Sequence, residues 1–319
     1  MYAEQADVNH VGVVGAGSVG SSWIAFGLAR GFAVTAVDPA EGSRERAADF
    51  ITAAWPALIE LGVASAAVPP LDRLTFSEQV GDLEDAQLIF EAGPERLETK
   101  RQILRDVAEV TPASTIVSSS TGGMRITDLQ RDCRHPERVV LMHPLNPPHI
   151  VPLIEICGGD ATSPDAVQWA AAFCRLHGKV PVVLNREVVG HLTNRLQAAL
   201  LREAIHCLVE GIASADDIDA TVTMGLGARW AAVGPLTTMH LAGGPGGTAG
   251  ILAHAGDAMN AWWSDLGSPE LTPELRAQLV DLSVAFGGGR PIADLVRDRD
   301  AKLLQVLGVG GAATDSAPG

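Results

Sequence analysis

A glycine-rich turn near the amino terminus, set between a short apolar run and a helical segment, constrains the fold more than any other feature of the sequence. The turn consists of Gly15, Ala16, Gly17, Ser18, Val19 and Gly20. Residues 8–15 are apolar and rich in β-branched side chains, which predicts a strand, and residues 21–30 place apolar side chains at helical spacing. Glycines in such a turn let backbone N–H groups approach a pyrophosphate at the start of the helix.

An acidic residue closes the next apolar run and makes the interpretation of the turn more specific. Residues 33–37 form this run, and Asp38 follows them. A carboxylate about twenty residues after such a turn can hydrogen-bond both ribose hydroxyls of a dinucleotide, and it would repel a 2′-phosphate. Strand, turn, helix and acid together predict NAD as the cofactor, in preference to NADP. The alternatives are an ordinary glycine turn and, for Asp38, a helix-capping role before Pro39.

Short apolar runs alternate with helical segments over the first half of the chain. Further runs of the strand type cover residues 87–90, 115–117, 139–142 and 180–184. Helical patterns cover residues 42–61 with an interruption near Pro56, residues 95–109, and residues 163–178 with Ser163 as N-cap and Pro164 in the first turn. This alternation predicts an α/β fold of the Rossmann type, with a mostly parallel sheet and crossover helices.

The pattern changes after about residue 186. From residue 188 to residue 211 apolar side chains recur at helical spacing, and the later segments contain no convincing strand. We therefore predict an NAD-binding Rossmann domain over residues 1–186, an all-α domain for substrate binding and dimerisation over residues 187–307, and a disordered tail over residues 308–319. The apolar helices of the second domain exceed what one Rossmann face can cover, so we expect a homodimer.

The charge, the length of the apolar runs and the cysteine spacing argue against nucleic acid, membrane and metal as partners. A small-molecule substrate remains as the expected partner. The formal net charge is −15 and no run of Lys or Arg forms a basic patch, so we expect no nucleic-acid partner. No apolar run reaches membrane-spanning length and residues 1–10 lack a leader pattern, so we expect a cytoplasmic protein without membrane association. The four cysteines lie far apart without a C-x-x-C pair, which predicts free thiols and no metal site.

A histidine and a glutamate stand in surroundings that suit a catalytic pair. His143 follows an apolar run, at the place where open parallel sheets bind ligands. Glu155 lies within the apolar residues 151–156, where a carboxylate is costly unless it has a partner. Together they would make a general base, because the carboxylate fixes the tautomer and stabilises the imidazolium. From the residues alone, a structural histidine in a proline-rich turn remains the alternative.

Several phrases of the sequence are together similar to one known family. They are IVSSST, HPLNPPHIVPLIEI, HLTNRLQ and GLGARWAAVGPLTTMHLAGG. The sequence resembles the 3-hydroxyacyl-CoA dehydrogenase family, in the short-chain-substrate branch that includes L-gulonate 3-dehydrogenase (lambda-crystallin), L-carnitine dehydrogenase and the diketoreductases. The likeness extends over nearly the whole chain, from Val8 to about Trp263.

The resemblance implies catalytic and cofactor-binding roles for several polar residues. It makes His143 the acid/base, Glu155 its orienting partner and Asn194 an amide that hydrogen-bonds the reacting oxygen. It also implies contacts with the nicotinamide ribose from Glu95 and Lys100, with Asn146 nearby. On sequence alone, Asn194 could make an interface hydrogen bond only, and the pair at 95 and 100 would pass as a solvated helix face.

One position departs from the family pattern. Where the family has a serine shortly before the catalytic histidine, this chain has Gly122. The missing hydroxyl removes a donor to the substrate oxygen, a loss that can lower the rate by on the order of 10²–10³ at oxyanion-type sites. Ser120 or Thr121 can supply the hydroxyl instead, or Gly122 and Gly123 can enlarge the pocket for a bulkier ketone. A third possibility is a weakened enzyme retained for binding.

These observations predict reversible hydride transfer between NAD and a 3-hydroxy acid or β-keto compound of the gulonate, carnitine or 3-hydroxybutyryl type. Arg229 is the expected cation for a substrate carboxylate, with an ion pair elsewhere as the alternative. The few lysines offer little to the phosphates of CoA, which favours a small carboxylate. The other hypotheses are a ketoreductase acting on a bulkier, polyketide-type β-keto intermediate and a non-catalytic, crystallin-like NAD-binding protein.

Overall fold

An eight-stranded sheet forms the centre of the first part of the chain. The computed structural model describes residues 2–308, and its strands are β1 (His10–Val14), β2 (Ala33–Val37), β3 (Leu74–Ser77), β4 (Leu88–Glu91), β5 (Ile116–Ser119), β6 (Val139–Pro144), β7 (Leu153–Gly158) and β8 (Val180–Val183). They lie in the order β3-β2-β1-β4-β5-β6-β7-β8. Neighbouring strands are parallel except β6 and β7, which pair antiparallel. The predicted mostly parallel α/β sheet is therefore confirmed.

The direction in which the sheet is built reverses at β1. The chain adds β2 and β3 on one side of β1 and then returns to place β4 on the other side. Open α/β sheets bind ligands in the crevice at the carboxyl ends of the strands at such a reversal. Gly15 directly follows β1 and Asp38 directly follows β2, so both lie at that edge of the sheet.

Two strands fall outside the sequence-based expectation. The apolar runs do not predict β3, because it is an edge strand whose side chains are only half-buried or exposed. They also do not assign β7, which follows β6 without a crossover helix and therefore runs antiparallel to it. The pairing of β6 with β7 places residues that are distant in sequence directly opposite one another.

Five helices accompany the sheet. They are α1 (Ser18–Ala29), α2 (Ser43–Glu60), α3 (Leu97–Val110), α4 (Ile126–Leu129) and α5 (Pro164–Leu176). The expected start of α5 is confirmed, because the Ser163 side chain accepts the N–H of Ala166. The expected interruption of α2 near Pro56 is wrong: the helix continues through the proline. Pro56 is exposed while Trp55 and Leu58 on either side are buried, so packing keeps the helix intact and water can solvate the freed carbonyl.

Helices cover both faces of the sheet with separate apolar clusters. Trp23 and Phe26 of α1 belong to the larger cluster, which also includes residues of α2 and α5. Leu104 and Val107 of α3 belong to the second cluster, together with residues of α4. The central strands are buried on both faces, so apolar packing from both sides fixes their backbone at the carboxyl edge of the sheet.

The remaining elements are helical. They are α6 (Thr193–Val209), α7 (Ala215–Ala220), a π-helical turn (Thr221–Leu226), α8 (Gly227–Ala232), α9 (Pro235–Ala242), α10 (Gly247–Asp265), α11 (Pro273–Ser283) and α12 (Ile292–Val306). Within the described residues the chain forms two units, one of residues 2–195 and 300–308 and one of residues 196–299. The predicted boundary after residue 186 stays a prediction, and the predicted tail lies, apart from Gly308, outside the described residues.

Two properties of the described residues bear on other classes of protein. No helix in residues 2–308 combines the length and the apolar content that a membrane span requires. In the same part of the chain, no three His, Cys, Asp or Glu side chains are grouped as a metal site would need. The four cysteines are free, and burial raises the pKa of the Cys157 thiol to about 11 and that of the Cys174 thiol to about 12. These two thiols are therefore protonated and unreactive near neutral pH.

Candidate active site at the carboxyl ends of the strands

The three glycines of the turn after β1 have two structural roles. Gly15 has a φ of 92°, and a Cβ built there would lie 2.6 Å from the carbonyl oxygen of Ala92. A Cβ on Gly20 would lie 1.8 Å from the carbonyl oxygen of Gly15, because α1 packs directly on the turn. A Cβ on Gly17 would meet no atom within 4 Å. Two glycines thus make the close packing possible, and the third leaves an open cradle.

Backbone N–H groups face this cradle. Gly17 is the N-cap of α1 and has no side chain to bond the first N–H groups of the helix, and Gly17 and Ser18 are both exposed. The first four N–H groups of an α-helix lack partners within the helix and carry the positive end of its dipole. The residues present therefore fit the pyrophosphate of a dinucleotide.

Asp38 lies beside the same turn. Its Oδ2 accepts the backbone N–H of Ala16 at 2.7 Å, and its Oδ1 accepts that of Ala40 at 2.9 Å. With Ser77 it lines a pocket of about 320 Å³. The N-cap of α2 is Gly42, so Asp38 does not cap that helix. The carboxylate is thus fixed at the edge of a pocket, where a ribose can reach it.

His143 and Glu155 face each other across the antiparallel pair β6 and β7. Nδ1 of His143 donates to Oε2 of Glu155 at 2.8 Å, and both side chains are buried. Oε1 of Glu155 accepts the backbone N–H groups of Leu192 and Thr193, each at 2.8 Å. These donors at the start of α6 supply the hydrogen bonds that a buried carboxylate requires. Glu155 therefore fixes the imidazole and is itself fixed by a helix terminus.

The other ring nitrogen of His143 faces Gly122. A Cβ built on Gly122 would lie 3.9 Å from Nε2 of His143 and 3.5 Å from Nδ2 of Asn194, both ordinary contact distances. Asn194 donates from Nδ2 to the carbonyl oxygen of Gly122 at 2.7 Å. Because Nδ1 holds the proton donated to Glu155, Nε2 of the neutral ring carries a lone pair. The Nε2 lone pair of His143, the Asn194 amide and the open space at Gly122 therefore lie together.

The carbonyls of the turn at residues 121–123 all accept hydrogen bonds from one segment, residues 190–194, around the start of α6. The three carbonyls accept, in order, from the His191 imidazole at 3.0 Å, the Asn194 amide at 2.7 Å and the Gly190 N–H at 3.3 Å. His191 is buried, has a φ of 49°, and its ring centroid lies 5.1 Å from that of His143. Burial lowers the pKa of His191, which keeps its ring neutral. This residue was not predicted, because its only signal in the sequence is the preceding glycine.

A buried ion pair supports the other side of the same turn. Lys100 donates from Nζ to both carboxylate oxygens of Glu91, at 2.8 and 3.0 Å, and lies 3.5 Å from Oε2 of Glu95. Lys100 is 1% exposed, so its interpretation as part of a solvated helix face is wrong. Oε1 of Glu95 accepts the Thr121 hydroxyl at 2.6 Å and the Gly122 N–H at 3.1 Å. Glu95 thus bonds the turn beside His143, and Lys100 is directed at Glu91.

Two other predicted site residues, Ser120 and Asn146, are not part of this cluster, and a third, Arg229, belongs to the other unit. The Ser120 hydroxyl oxygen accepts the indole N–H of Trp23 at 3.0 Å, so it is engaged with α1. Asn146 is exposed, two residues beyond the end of β6. Arg229 is exposed on α8, in the unit of residues 196–299. Among the hydroxyls after β5, that of Thr121 is bonded to Glu95.

The fold and the site together define a class. A mostly parallel sheet with a glycine cradle, an acid after β2 and a histidine at a strand end is the framework of an NAD-dependent dehydrogenase. Residues 10–188 match the family model of the 3-hydroxyacyl-CoA dehydrogenase NAD binding domain, and residues 190–271 match that of the 3-hydroxyacyl-CoA dehydrogenase C-terminal domain. The chain belongs to the 3-hydroxyacyl-CoA dehydrogenase family. NAD is its cofactor, and its reaction is hydride transfer on a 3-hydroxy substrate.

Several curated relatives are similar along their whole length. L-carnitine dehydrogenase of Streptomyces griseus is 44% identical over 312 residues, which cover 98% of this chain and 92% of that protein. L-carnitine dehydrogenase of Pseudomonas aeruginosa is 36% identical over 303 residues, which cover 95% of this chain and 94% of that protein. The expected family resemblance is confirmed.

Solved structures agree with this assignment. FHMPC 5-dehydrogenase, described as an NAD+-dependent dismutase, has a TM-score of 0.83 and 32% identity, covering 96% of this chain and 100% of that chain. A diketoreductase has a TM-score of 0.62 and 30% identity, covering 78% of this chain and 92% of that chain. The fold is therefore shared with proteins that reduce or oxidise several different carbonyl compounds.

Proposed function

We propose that this enzyme oxidises a small β-hydroxy acid with a quaternary ammonium group, L-carnitine or a close analogue, to the corresponding 3-keto acid. The observation that carries the chemical step is the 2.8 Å bond between His143 and Glu155, with Nε2 of the imidazole left open beside Gly122. The substrate class is supported by L-carnitine dehydrogenases at 36–44% identity, each matched over 91% or more of its length. The net charge of −15 also favours a cationic ligand over CoA.

The proton and the hydride leave the substrate by separate routes. Bound NAD supplies the hydride acceptor in oxidation and, as NADH, the hydride donor in reduction. His143 takes the hydroxyl proton on Nε2 as the carbinol C–H bond breaks and the C=O bond forms. Glu155 stabilises the imidazolium that forms during this transfer, because its Oε2 accepts the Nδ1 proton at 2.8 Å. In the reverse direction His143 returns this proton to the oxygen.

The substrate oxygen is held by the groups around Gly122. One N–H of the Asn194 amide is used on the Gly122 carbonyl, and the second remains for the substrate oxygen. Gly122 offers no hydroxyl at this point, so Asn194 is the side-chain donor that we assign to the oxygen. The Ser120 oxygen accepts the Trp23 N–H, which uses an acceptor position and not the hydroxyl proton, so Ser120 stays a second proposed donor to the substrate oxygen. We keep Arg229 as the proposed partner of the substrate carboxylate.

The cofactor contacts that we propose follow the carboxyl edge of the sheet. The N–H groups of the Gly15 to Gly20 turn hold the pyrophosphate, and Asp38 holds the adenosine ribose. Glu95, which is 48% exposed, and Asn146 contact the nicotinamide half. Lys100 supports this site indirectly, because its ammonium group is occupied by Glu91 and lies close to Glu95.

A panel of substrates tests the proposed function. Steady-state rates with NAD and L-carnitine, gulonate or 3-hydroxybutyrate, and with NADH and acetoacetyl-CoA or a β-diketo ester, are measured side by side. We expect kcat/KM for L-carnitine to exceed that for each other compound by at least about tenfold. A preference for the β-diketo ester would support the ketoreductase hypothesis instead. NADH binding without turnover of any compound would support the non-catalytic one.

We also propose a homodimer located in the cytoplasm. Many large apolar side chains between residues 196 and 299 are exposed in the single chain, among them Met224 at 82%, Leu236 at 77% and Trp263 at 66%. Apolar surface of this extent in a folded unit indicates a protein interface. Four free thiols agree with a reducing compartment. Sedimentation at micromolar concentration should give twice the monomer mass of 33.2 kDa, and a monomer alone would contradict the dimer.

A further inference from the structure

A buried lysine outside the cluster around His143 is held by backbone carbonyls. Lys179 stands between α5 and β8 and is 8% exposed. Its Nζ donates to the carbonyl oxygens of Pro148 at 2.5 Å and Val151 at 3.2 Å. In the described part of the chain, no carboxylate forms an ion pair with it. Burying an ammonium group without a carboxylate beside it is costly.

The two carbonyls belong to the connection between β6 and β7. This connection, residues 145–152, joins the strand of His143 to the strand of Glu155, and it contains Asn146. Three of its eight residues are prolines, which have no N–H to donate. Donors from elsewhere therefore fix it: the ammonium group of Lys179, the N–H of Val180 on the Pro152 carbonyl, and Ser22 of α1, whose hydroxyl lies 3.1 Å from Nδ1 of His149.

Stability alone does not account for a lysine at this position. Burial lowers the pKa of Lys179 to about 8, which records the unfavourable environment of the ammonium group. The Phe26 ring, with its centroid 5.0 Å from Nζ, and the two carbonyls offset part of that cost. Well-packed apolar residues of similar volume are often as stable as buried charged groups, or more stable. The hydrogen bonds to the connection are what an apolar residue could not supply.

We propose that Lys179 is a positioning residue for hydride transfer. By fixing residues 145–152 it holds His143 and Glu155 at the two ends of the connection, and Asn146 within it, in the arrangement that the reaction needs. This inference rests on the proposed acid/base role of His143. It assigns Lys179 no contact with substrate or cofactor.

Replacing the lysine by methionine tests the proposal. Lys179→Met keeps an unbranched side chain that is one atom shorter, and it removes the charge and the donors. Hydrogen exchange in the NADH complex should show the Ile150 and Val151 amides exchanging at least about tenfold faster, because their acceptor, the Pro147 carbonyl, is no longer held in place. Lys302→Met on α12 removes an exposed lysine and is the matched control, with unchanged exchange in residues 145–152.

Kinetics give the second readout. For Lys179→Met we expect kcat to fall at least about tenfold and the primary deuterium isotope effect with substrate labelled at the carbinol carbon to rise, since misplacement slows the hydride step. Lys179→Arg, which keeps donors and charge, should recover part of kcat. A merely structural role would lower the amount of folded enzyme and leave kcat per folded site and the isotope effect unchanged.

The outcomes separate this proposal from the proposed function. If wild-type enzyme turns over none of the substrates, the proposed function fails and the exchange of residues 145–152 still decides the role of Lys179. Unchanged exchange together with kcat within twofold of wild type would overturn the proposal. If Lys179→Met does not fold, Lys179→Gln, with a shorter side chain that keeps an amide donor, is measured in its place, and the same two results decide.

Discussion

Gly122 sets the space beside the proposed base. A serine at this position would fit, because its Cβ would stand 3.5 Å from Asn194 Nδ2 and 3.9 Å from His143 Nε2 without a closer neighbour. For Gly122→Ser we expect a free energy of unfolding within about 0.5 kcal/mol of wild type. The added hydroxyl would narrow the space beside His143 and donate a hydrogen bond to the oxygen of a small substrate. The ratio of kcat/KM for 3-hydroxybutyrate to kcat/KM for a β-diketo ester should therefore rise at least about tenfold. Equal specificity in the two proteins would show that residue 122 does not face the substrate.

Because Lys179 is buried, we also expect the free energy of unfolding to depend on pH. Burial lowers its pKa in the folded chain to about 8, below the 10.5 of an unperturbed lysine. The cost of burying the ammonium group is therefore present in full below about pH 8 and is relieved as the pH rises towards about 10.5. Urea unfolding across this range should show wild type gaining stability relative to Lys179→Met. A difference independent of pH would mean that the lysine titrates normally.

At the scale of single elements, Arg138 secures the carboxyl end of α3. Its guanidinium group is fully buried just before β6 and donates to the carbonyls of Pro112 and Thr115 and to the Thr111 hydroxyl. Arg138→Met would leave these acceptors without their donor. We expect it to lower the free energy of unfolding by about 1.5–3 kcal/mol, as for hydrogen bonds to charged groups. Burial lowers the pKa of Arg138, yet the group stays charged near neutral pH.

An exposed arginine nearby provides the control for Arg138. Arg134 pairs with Glu109 at 3.3 Å, and both side chains are more than 60% exposed. Exposed pairs of this kind contribute about 0–1 kcal/mol, so Arg134→Met should change stability little. Equal losses in the two variants, measured by urea unfolding, would contradict the structural role assigned to Arg138.

The elements that the sequence predicted well are those with a strong local signal. β2 begins and ends at the expected residues, since its β-branched side chains are buried between neighbours on both sides. α5 has its cap and its first-turn proline in place. β3 carried no such signal, because an edge strand buries few of its side chains. The proline in α2 suggested a break in the helix, which tertiary packing prevents.

The site was predictable only in part, for a related reason. The family resemblance and the cost of a buried carboxylate pointed to His143 and Glu155, and the antiparallel register of β6 and β7 places them opposite each other. The contacts of His191 and Lys179 depend on which distant segments meet in the fold. The spacing of residues along the chain does not show that these segments meet, and only the structure gives the burial and the hydrogen bonds of the two side chains.

In the molecule as a whole, one sheet carries both the cofactor cradle and the His143 imidazole. The cradle follows β1 and the imidazole ends β6, so the β strands of one sheet place both at the same edge. Binding and chemistry are therefore separable by mutation. Gly17→Asp would set a negative charge beside the N–H groups of α1, and we expect it to weaken NADH binding at least about tenfold while His143 and Glu155 stay paired. Unchanged NADH affinity in a calorimetric titration would place the pyrophosphate elsewhere.

Replacing the imidazole alone tests whether His143 is the acid/base of the reaction. For His143→Ala we measure NADH affinity by calorimetry and NAD-dependent oxidation of L-carnitine in the same preparation. General acid–base catalysis contributes about 10²–10⁴-fold to a rate, so turnover should fall by at least about 10² while NADH affinity stays within about threefold of wild type. Turnover close to that of wild type in the alanine variant would show that His143 is not the acid/base.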